Sequence, residues 1–406
     1  MFDSTLWRTR NFRLLFASST ATNLGDGVVA VAIPWLATLL TRDPLLIGLV
    51  AAARQVPWLL FALPAGVLTD RFDHVRALVA ADLARVGVAA ALLALALLAP
   101  PGTGAAMLLA ALAFALGTAE VLRDNTAQSF LPAVVPKDRL EDANGLLWSA
   151  EQVAGQFAGP PLAGLLIGVA VALPFGLQAA MLAGAVALTL RMALPPARKA
   201  VPQPFGPALR EGLVFLWRHP VLRRMALALG AFNFAASIFW ALVVLYAQEV
   251  LGMGPAAYGV MMAAVAGGGL AGSLIGPAVL RRTGPKAGLV IGVAGFALAA
   301  ATLGFTRSPW AAGTAMAVEA FTALLWNIAT VSYRQRHIPA PLLGRVNAAY
   351  RFFGTGPSAF GSLTGGAIVA LGAPLGPVAA LQLPYAICLG AAVLILAYIT
   401  LRLRMD

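Results

Sequence analysis

The sequence predicts an all-α membrane protein whose twelve transmembrane helices form two pseudo-symmetric six-helix halves. Three observations predict it. The 406 residues are 60% hydrophobic and only 11% charged, with a mean hydropathy of +0.84, whereas soluble domains carry about 25% charged residues and fewer than half apolar ones. The apolar residues fall into runs of the roughly 20 residues that a bilayer requires. The basic residues cluster in every second connection between those runs. At about 30 residues per span and connection, the chain holds roughly a dozen spans. No connection is long enough to fold as a separate catalytic domain, which points to a polytopic transporter or channel and away from a soluble or membrane enzyme.

Taken in order, the spans are read at about 12–40, 45–68, 76–99, 103–131, 141–169, 171–193, 222–249, 256–280, 286–306, 309–335, 342–371 and 374–402. The runs are too long for strands and do not alternate, and a bilayer admits only helices or closed barrels. With the N-terminus placed inside, 22 of the 28 Lys and Arg residues fall in inner connections and two, Arg42 and Arg307, in outer ones. Arg54, Arg85, Arg123 and Arg351 lie within spans. That asymmetry predicts both termini in the cytoplasm and an even number of spans. Arg8, Arg10 and Arg13 precede a first run that is too long for a signal-peptide core and that holds Asp26, so it reads as a retained span.

The longest connection carries Pro195, Pro196, Pro202, Pro204 and Pro207 and reads as a linker with a short surface helix. It divides the chain into an N-terminal bundle at 1–193, a linker at 194–221 and a C-terminal bundle at 222–406. An internal repeat agrees: Pro136, Leu140, Asn144 and Phe157 recur as Pro339, Leu343, Asn347 and Phe360 at one offset of 203. Near that offset, Asn23 of span one matches Asn233 of span seven.

The net charge of +12 would suggest nucleic acid in a soluble chain, but its placement here speaks of membrane orientation instead. One cysteine, Cys388, excludes an internal disulfide and a cysteine metal cluster. His74, His219 and His337 all fall in connections, which leaves no histidine for a mid-membrane relay. No cofactor or metal is expected. A phosphate-binding Gly-x-x-x-x-Gly-Lys-[Ser/Thr] loop does not occur, and Gly284-Pro-Lys286 lacks the spacing and the hydroxyl. Any driving energy therefore comes from an ion gradient or from the substrate's own gradient.

The segment Gly66-Val-Leu-Thr-Asp70-Arg71-Phe-Asp73-His74-Val-Arg76 joins spans two and three. It resembles the signature loop of the major facilitator superfamily, although His74-Val75 stands where many relatives have two basic residues. The stretches LPAVVPKDRLEDANGL (131–146) and RQRHIPAPLLGRVNAAYRFFGTGPSAFGSLTGG (334–366) are similar to the branch of drug, macrolide and siderophore exporters. Gly155-Gln-Phe-Ala-Gly159-Pro160-Pro-Leu-Ala-Gly164 in span five resembles the Gly-Pro motif of proton-coupled antiporters, with its final glycine pair reduced to Gly164. Physically, Gly155 and Gly159 offer a groove for a neighbouring helix, and Pro160 removes a backbone donor and bends the span. Gly268, Gly272 and Gly276 of span eight are the matching surface that the resemblance implies, since the family places span five beside span eight and span two beside span eleven. It also implies a substrate site at mid-membrane, lined by spans one, four, seven and ten, between halves that rock; these are properties of the superfamily rather than of residues read here.

Ionisable groups inside a membrane are costly and mark function. Asp26 and Arg54 come to similar depth on adjacent antiparallel spans, so they are expected to face each other, either as a static bridge or with Asp26 exchanging between Arg54 and a proton; Asn23 lies one turn away. Glu120, Arg123 and Asp124 share one face of span four, and Arg123 either neutralises Glu120 or leaves it as a cation or proton site. Glu319 of span ten has no basic residue near it in its span, with Trp326 two turns on and Asn327 beside that. Glu151 and Arg351 sit a few turns in from the cytoplasmic side, suited to gating or packing. Asp70 and Arg345 suggest a cytoplasmic latch, with Arg71 and Arg76 in the same loop motif, or else two solvated charges. Phe232, Phe239, Trp240, Phe321 and Trp326 form a possible aromatic wall for a lipophilic cation or macrocycle, or simply core.

The expectation is a monomeric proton-coupled exporter of amphipathic small molecules by alternating access, in the cytoplasmic membrane of a bacterium, an origin suggested by the excess of Arg over Lys. An importer or uniporter of a metabolite or lipid is the alternative within transport, and a non-transporting sensor or scaffold the alternative outside it.

Overall fold

The structure, a computed structural model, describes residues 4–69, 73–136, 139–192 and 205–403. Among these residues there are helices and turns and no strand. Ten helices are long and apolar enough to cross a membrane: Arg10–Leu40, Pro44–Phe61, His74–Leu98, Thr103–Pro132, Leu173–Leu190, Pro220–Glu249, Pro255–Thr283, Pro285–Phe305, Pro309–His337 and Pro377–Arg402. The two remaining spans are interrupted helices. Span five runs as Leu140–Ala150, a wider π-type stretch Glu151–Ala158, and Gly159–Val169. Span eleven runs as Ala340–Thr355 and Pro357–Leu371. In both, a proline within the span (Pro160, Pro357) lacks the N–H that would continue the ladder, so the helix restarts there. The count of twelve spans therefore matches the sequence reading. The described residues also form two short helices outside the spans, Ser4–Arg8 and Phe205–Arg218, and a 3-10 turn at Ala373–Leu375.

The helices fall into two compact units, one of residues 1–41, 53–202 and 255–260, the other of residues 42–52, 203–254 and 261–406. In the first unit span three packs on spans four and six, and span one on spans five and six. In the second, span nine packs on spans ten and twelve, and span seven on spans eleven and twelve. The repeat read from sequence reaches the backbone: Arg139 N–H donates to Pro136 O, and Leu342 N–H, at the same offset, donates to Pro339 O.

Outward faces are apolar. Leu98, Leu274, Leu394 and Trp310 are 73–83% exposed, the opposite of a soluble surface and the expected face toward lipid tails. At one end of the first unit, Leu6, Phe12, Leu15, Leu78, Phe130 and Leu131 form a buried cluster that Trp7 closes by packing edge-on against Phe12 and Phe16.

Glycines set which helices touch. A Cβ on Gly27 would lie 2.0 Å from Gly155 O, and one on Gly159 would lie 2.6 Å from Gly27 Cα. The Gly155/Gly159 groove thus receives span one. Correspondingly, Gly268, Gly272 and Gly276 face Ala317, Phe321 and Ile328 of span ten. This corrects the expectation that these two sets form matching surfaces. Backbone rotation points them inward within their own units, and spans five and eight meet instead at Gly164 and Gly259, inside the first unit, where a Cβ on Gly164 would lie 2.7 Å from Gly259 Cα. The expected approach of spans two and eleven occurs at Gly48 and Gly366, inside the second unit.

Candidate functional site

A ladder of charged side chains runs through the interior of the first unit. Span one contributes Asp26, span two Arg54, span three Asp82 and Arg85, and span four Glu120, Arg123 and Asp124. Asp82 and Arg85 lie one turn apart and share a face of span three. Arg85 is fully buried and divides its guanidinium: one Nη donates to Asp26 Oδ1, the other to Asp82 Oδ1 at 3.3 Å. Arg123 continues the chain, with Nε 3.6 Å from Asp82 Oδ1, one Nη 3.6 Å from Asp124 Oδ1, and the other donating to Ser19 Oγ at 3.3 Å. Beside them, Arg54 lies 3.8 Å from Glu120. Gly117 permits that pairing, because a Cβ there would sit 2.8 Å from Arg54 O; span four therefore presses on span two one turn before Glu120.

Exposure divides the ladder into two sides. The side chains of Asp82 and Arg85 are 1% and 0% exposed, whereas those of Asp26, Glu120 and Asp124 are 19%, 17% and 35% exposed. Three carboxylates thus line an accessible rim, and a sealed aspartate–arginine pair backs them. Four acids share three arginines, so with every carboxyl ionised the ladder would carry one negative charge more than its arginines. Span six adds Gln178, fully buried against Gly25, with neither amide atom hydrogen-bonded among the described residues.

These contacts revise two expectations. Asp26 pairs with Arg85 rather than Arg54, because its side chain turns toward span three. Arg54 pairs with Glu120, and Arg123 turns away from Glu120 to Asp82 and Asp124. Of the expected latch between Asp70 and Arg345, the arginine alone is described. Arg345 is bonded to Glu211 of the surface helix Phe205–Arg218, whose Gly212 packs on Arg345 O and whose Trp217 ring lies 5.4 Å from Phe353. Asp70 and Arg71 lie outside the described residues. Arg76 is exposed, and its backbone N–H is capped by Asp73.

In the second unit Glu319 is 6% exposed and makes no ion pair among the described residues; the backbone carbonyl of the same residue accepts from Thr322. Trp326 and Phe232 are buried and stack at 5.2 Å and 13°, and Phe296, Phe239 and Tyr385 extend the aromatic core from them. Trp240 and Phe321 are half-buried, and Asn327 is exposed. Asn233 donates to Gly354 O at 2.8 Å, tying span seven to span eleven, while the backbone carbonyl of Asn23 lies against Gly155. Glu151 and Arg351 are both exposed, and Pro160 is half-buried in the first turn of its helix. Asp82 and Gln178 are the residues that sequence reasoning missed, and Arg85 was placed in a span without a role. The signal for the first was present, an acid and an arginine three residues apart in an apolar run.

A family model described as transmembrane secretion effector, one of the major facilitator families, matches residues 5–405. The chain belongs to the major facilitator superfamily. It is thus a multi-pass integral membrane protein with a transport role. This major facilitator is similar to the protein named multidrug efflux pump Tap of Mycobacterium tuberculosis, with 31% identity over 318 residues, 71% of each chain. It is also similar to the Tap protein of Mycolicibacterium fortuitum, 28% identical over 221 residues that cover 53% of this chain and 54% of that one. Solved structures share the fold. A mutant of the nucleoside transporter NupG matches with a TM-score of 0.80 at 13% identity, covering 97% of this chain and 100% of that one. A bacterial homologue of the iron transporter ferroportin in its inward-facing state matches at 0.76 and 14%, covering 98% of both.

Proposed function

We propose that this major facilitator is a proton-coupled exporter of amphipathic small molecules, drugs among them, in a bacterial cytoplasmic membrane with both termini inside. The bundles at 1–193 and 222–406 would rock about a mid-membrane site, with 194–221 as their tether. The similarity to proteins named multidrug efflux pumps supports the cargo class. The single observation that carries the proton coupling is the surplus of one carboxylate over arginine in the buried ladder of the first unit. Surplus negative charge inside a bundle is expensive, so a state in which one rim carboxyl holds a proton is favoured, and a state in which it does not is favoured when a cationic cargo lies nearby. Glu319 supplies a second acid of the same kind.

In the outward state a proton arriving from outside neutralises Asp26 or Glu319 and the cargo leaves. In the inward state the proton departs and the carboxylate attracts the next cargo molecule. The test uses purified protein in proteoliposomes with ethidium as a lipophilic cation and an internal pH dye. Ethidium movement is expected to drive opposite proton movement in the parent protein and to lose that coupling in the Asp26→Asn, Glu319→Gln double variant. Unchanged proton flux in the double variant would remove both acids from the mechanism.

A further inference from the structure

Arg85 is the most enclosed cation among the described residues of the first unit, and it is paired twice. One Nη serves Asp26, which reaches the accessible rim; the other serves Asp82, which is sealed at 1% exposure. If Asp26 were its only partner, a proton on Asp26 would strand a fully buried guanidinium, and removal of one partner from a buried pair is among the most costly of changes. Asp82 removes that obstacle. With Asp26 neutral, Arg85 keeps an ionised partner without moving, and Arg123, 3.6 Å from Asp82 on the other side, retains Asp124 and Ser19.

We propose that Asp82 of span three is the standby counter-ion of Arg85, a positioning residue that touches neither cargo nor solvent and yet allows Asp26 to take up and release a proton. The inference rests on the proton-coupled reading of the same ladder. Among the described residues, the charged groups around Asp26 are Arg85 and Asp82 on span three, Glu120, Arg123 and Asp124 on span four, Arg54 on span two through Glu120, and Glu151 on span five; span six offers the neutral Gln178. Of these, Asp82 alone is both sealed and bonded to the arginine that Asp26 shares.

The test reads protonation directly. The carboxylic C=O stretch of purified protein is titrated by infrared difference spectroscopy, and the Asp26 band is assigned by its loss in Asp26→Asn. In Asp82→Asn, Asp26 is the ion-paired partner left to Arg85 among the described residues, so the Asp26 band is expected to titrate at more acidic pH, by about one unit or more, a tenfold change in proton binding. In the charge-balanced Asp82→Asn, Arg85→Gln variant, Asp26 loses its cation and the band is expected to move the opposite way, to alkaline pH. Asp82→Glu should restore the parent position. A structural role alone would alter yield or melting and would not move the band in two directions. An Asp26 band that titrates at the parent pH in Asp82→Asn overturns the proposal; if that variant is not recovered folded, an unmoved band in the double variant does so. Because the titration needs no cargo, it is independent of the transport assay: absence of ethidium-coupled proton flux in the parent protein removes the proton-coupled reading, whereas an unmoved band removes only the counter-ion.

Discussion

Replacing Arg85 by glutamine removes a side chain that joins spans one and three through charge. Two carboxylates lose their donor, Asp26 on the accessible rim and Asp82, 1% exposed, which is left with only Arg123 at 3.6 Å. Breaking a buried ion pair by removing one partner costs about 3–5 kcal/mol. For a unit of this size each kcal/mol moves the melting temperature by about 2–4 °C, so Arg85→Gln is expected to melt roughly 6–20 °C below the parent protein. Removing Asp82 as well takes out a charge of each sign, and the double variant should recover at least half of that loss. Arg54→Gln is the contrast: its partner Glu120 is 3.8 Å away and both side chains are partly exposed, 24% and 17%, so the cost should stay below about 1 kcal/mol. Heating the purified proteins in detergent and following helicity by circular dichroism orders the three variants. If Arg85→Gln melted within about 2 °C of the parent, the guanidinium could not be holding the bundle as described.

Gly27→Ala should destabilise by at least about 1–3 kcal/mol, because its Cβ would fall 2.0 Å from the backbone oxygen of Gly155 and only backbone movement relieves it; Gly87→Ala, where nothing lies within 4 Å, should raise stability by about 0.5–1 kcal/mol, and thermal melts compare them. Glu211→Gln cuts an exposed ion pair to Arg345 and should leave global melting unchanged, yet it should speed amide hydrogen exchange across Phe205–Arg218. His219 caps span seven by accepting from Leu222 N–H at 3.3 Å, and burial, with His337 nearby, holds its pKa below the ordinary histidine value. The unfolded segment therefore binds the proton more readily than the folded one, so the cap is intact above pH about 6.5 and weakens as pH falls below it. Hydrogen exchange at 220–223 should accelerate on acidification, and His219→Asn, which caps without titrating, should abolish that dependence.

Much of the fold was legible because its cause is simple: an apolar run of sufficient length must be a helix in a bilayer, and the repeat at offset 203 marks the same turn twice. The partners inside the bundle were not. Depth along a span can be read at ~1.5 Å per residue, which put Asp26 level with Arg54. The direction in which a side chain points around the helix axis depends on which neighbours press on it. Gly27 against Gly155 and Gly25 against Gln178 fix the rotation of span one, and that rotation delivers Asp26 to Arg85. The glycines of spans five and eight were visible as close-packing surfaces, but a glycine stripe names no partner, and each proved to face a helix of its own unit. Glu211 was hidden for a different reason: a surface carboxylate in a linker helix has no pattern that distinguishes the arginine it will meet.

In the proposed cycle a surplus of carboxylate over arginine couples protons to the movement of cargo. An imposed pH gradient across proteoliposomes, with no nucleotide present, tests it most directly. Ethidium is expected to accumulate on the acidic side against its own gradient and to leak back when nigericin collapses the pH difference. Equal ethidium distribution with and without the gradient would contradict the account.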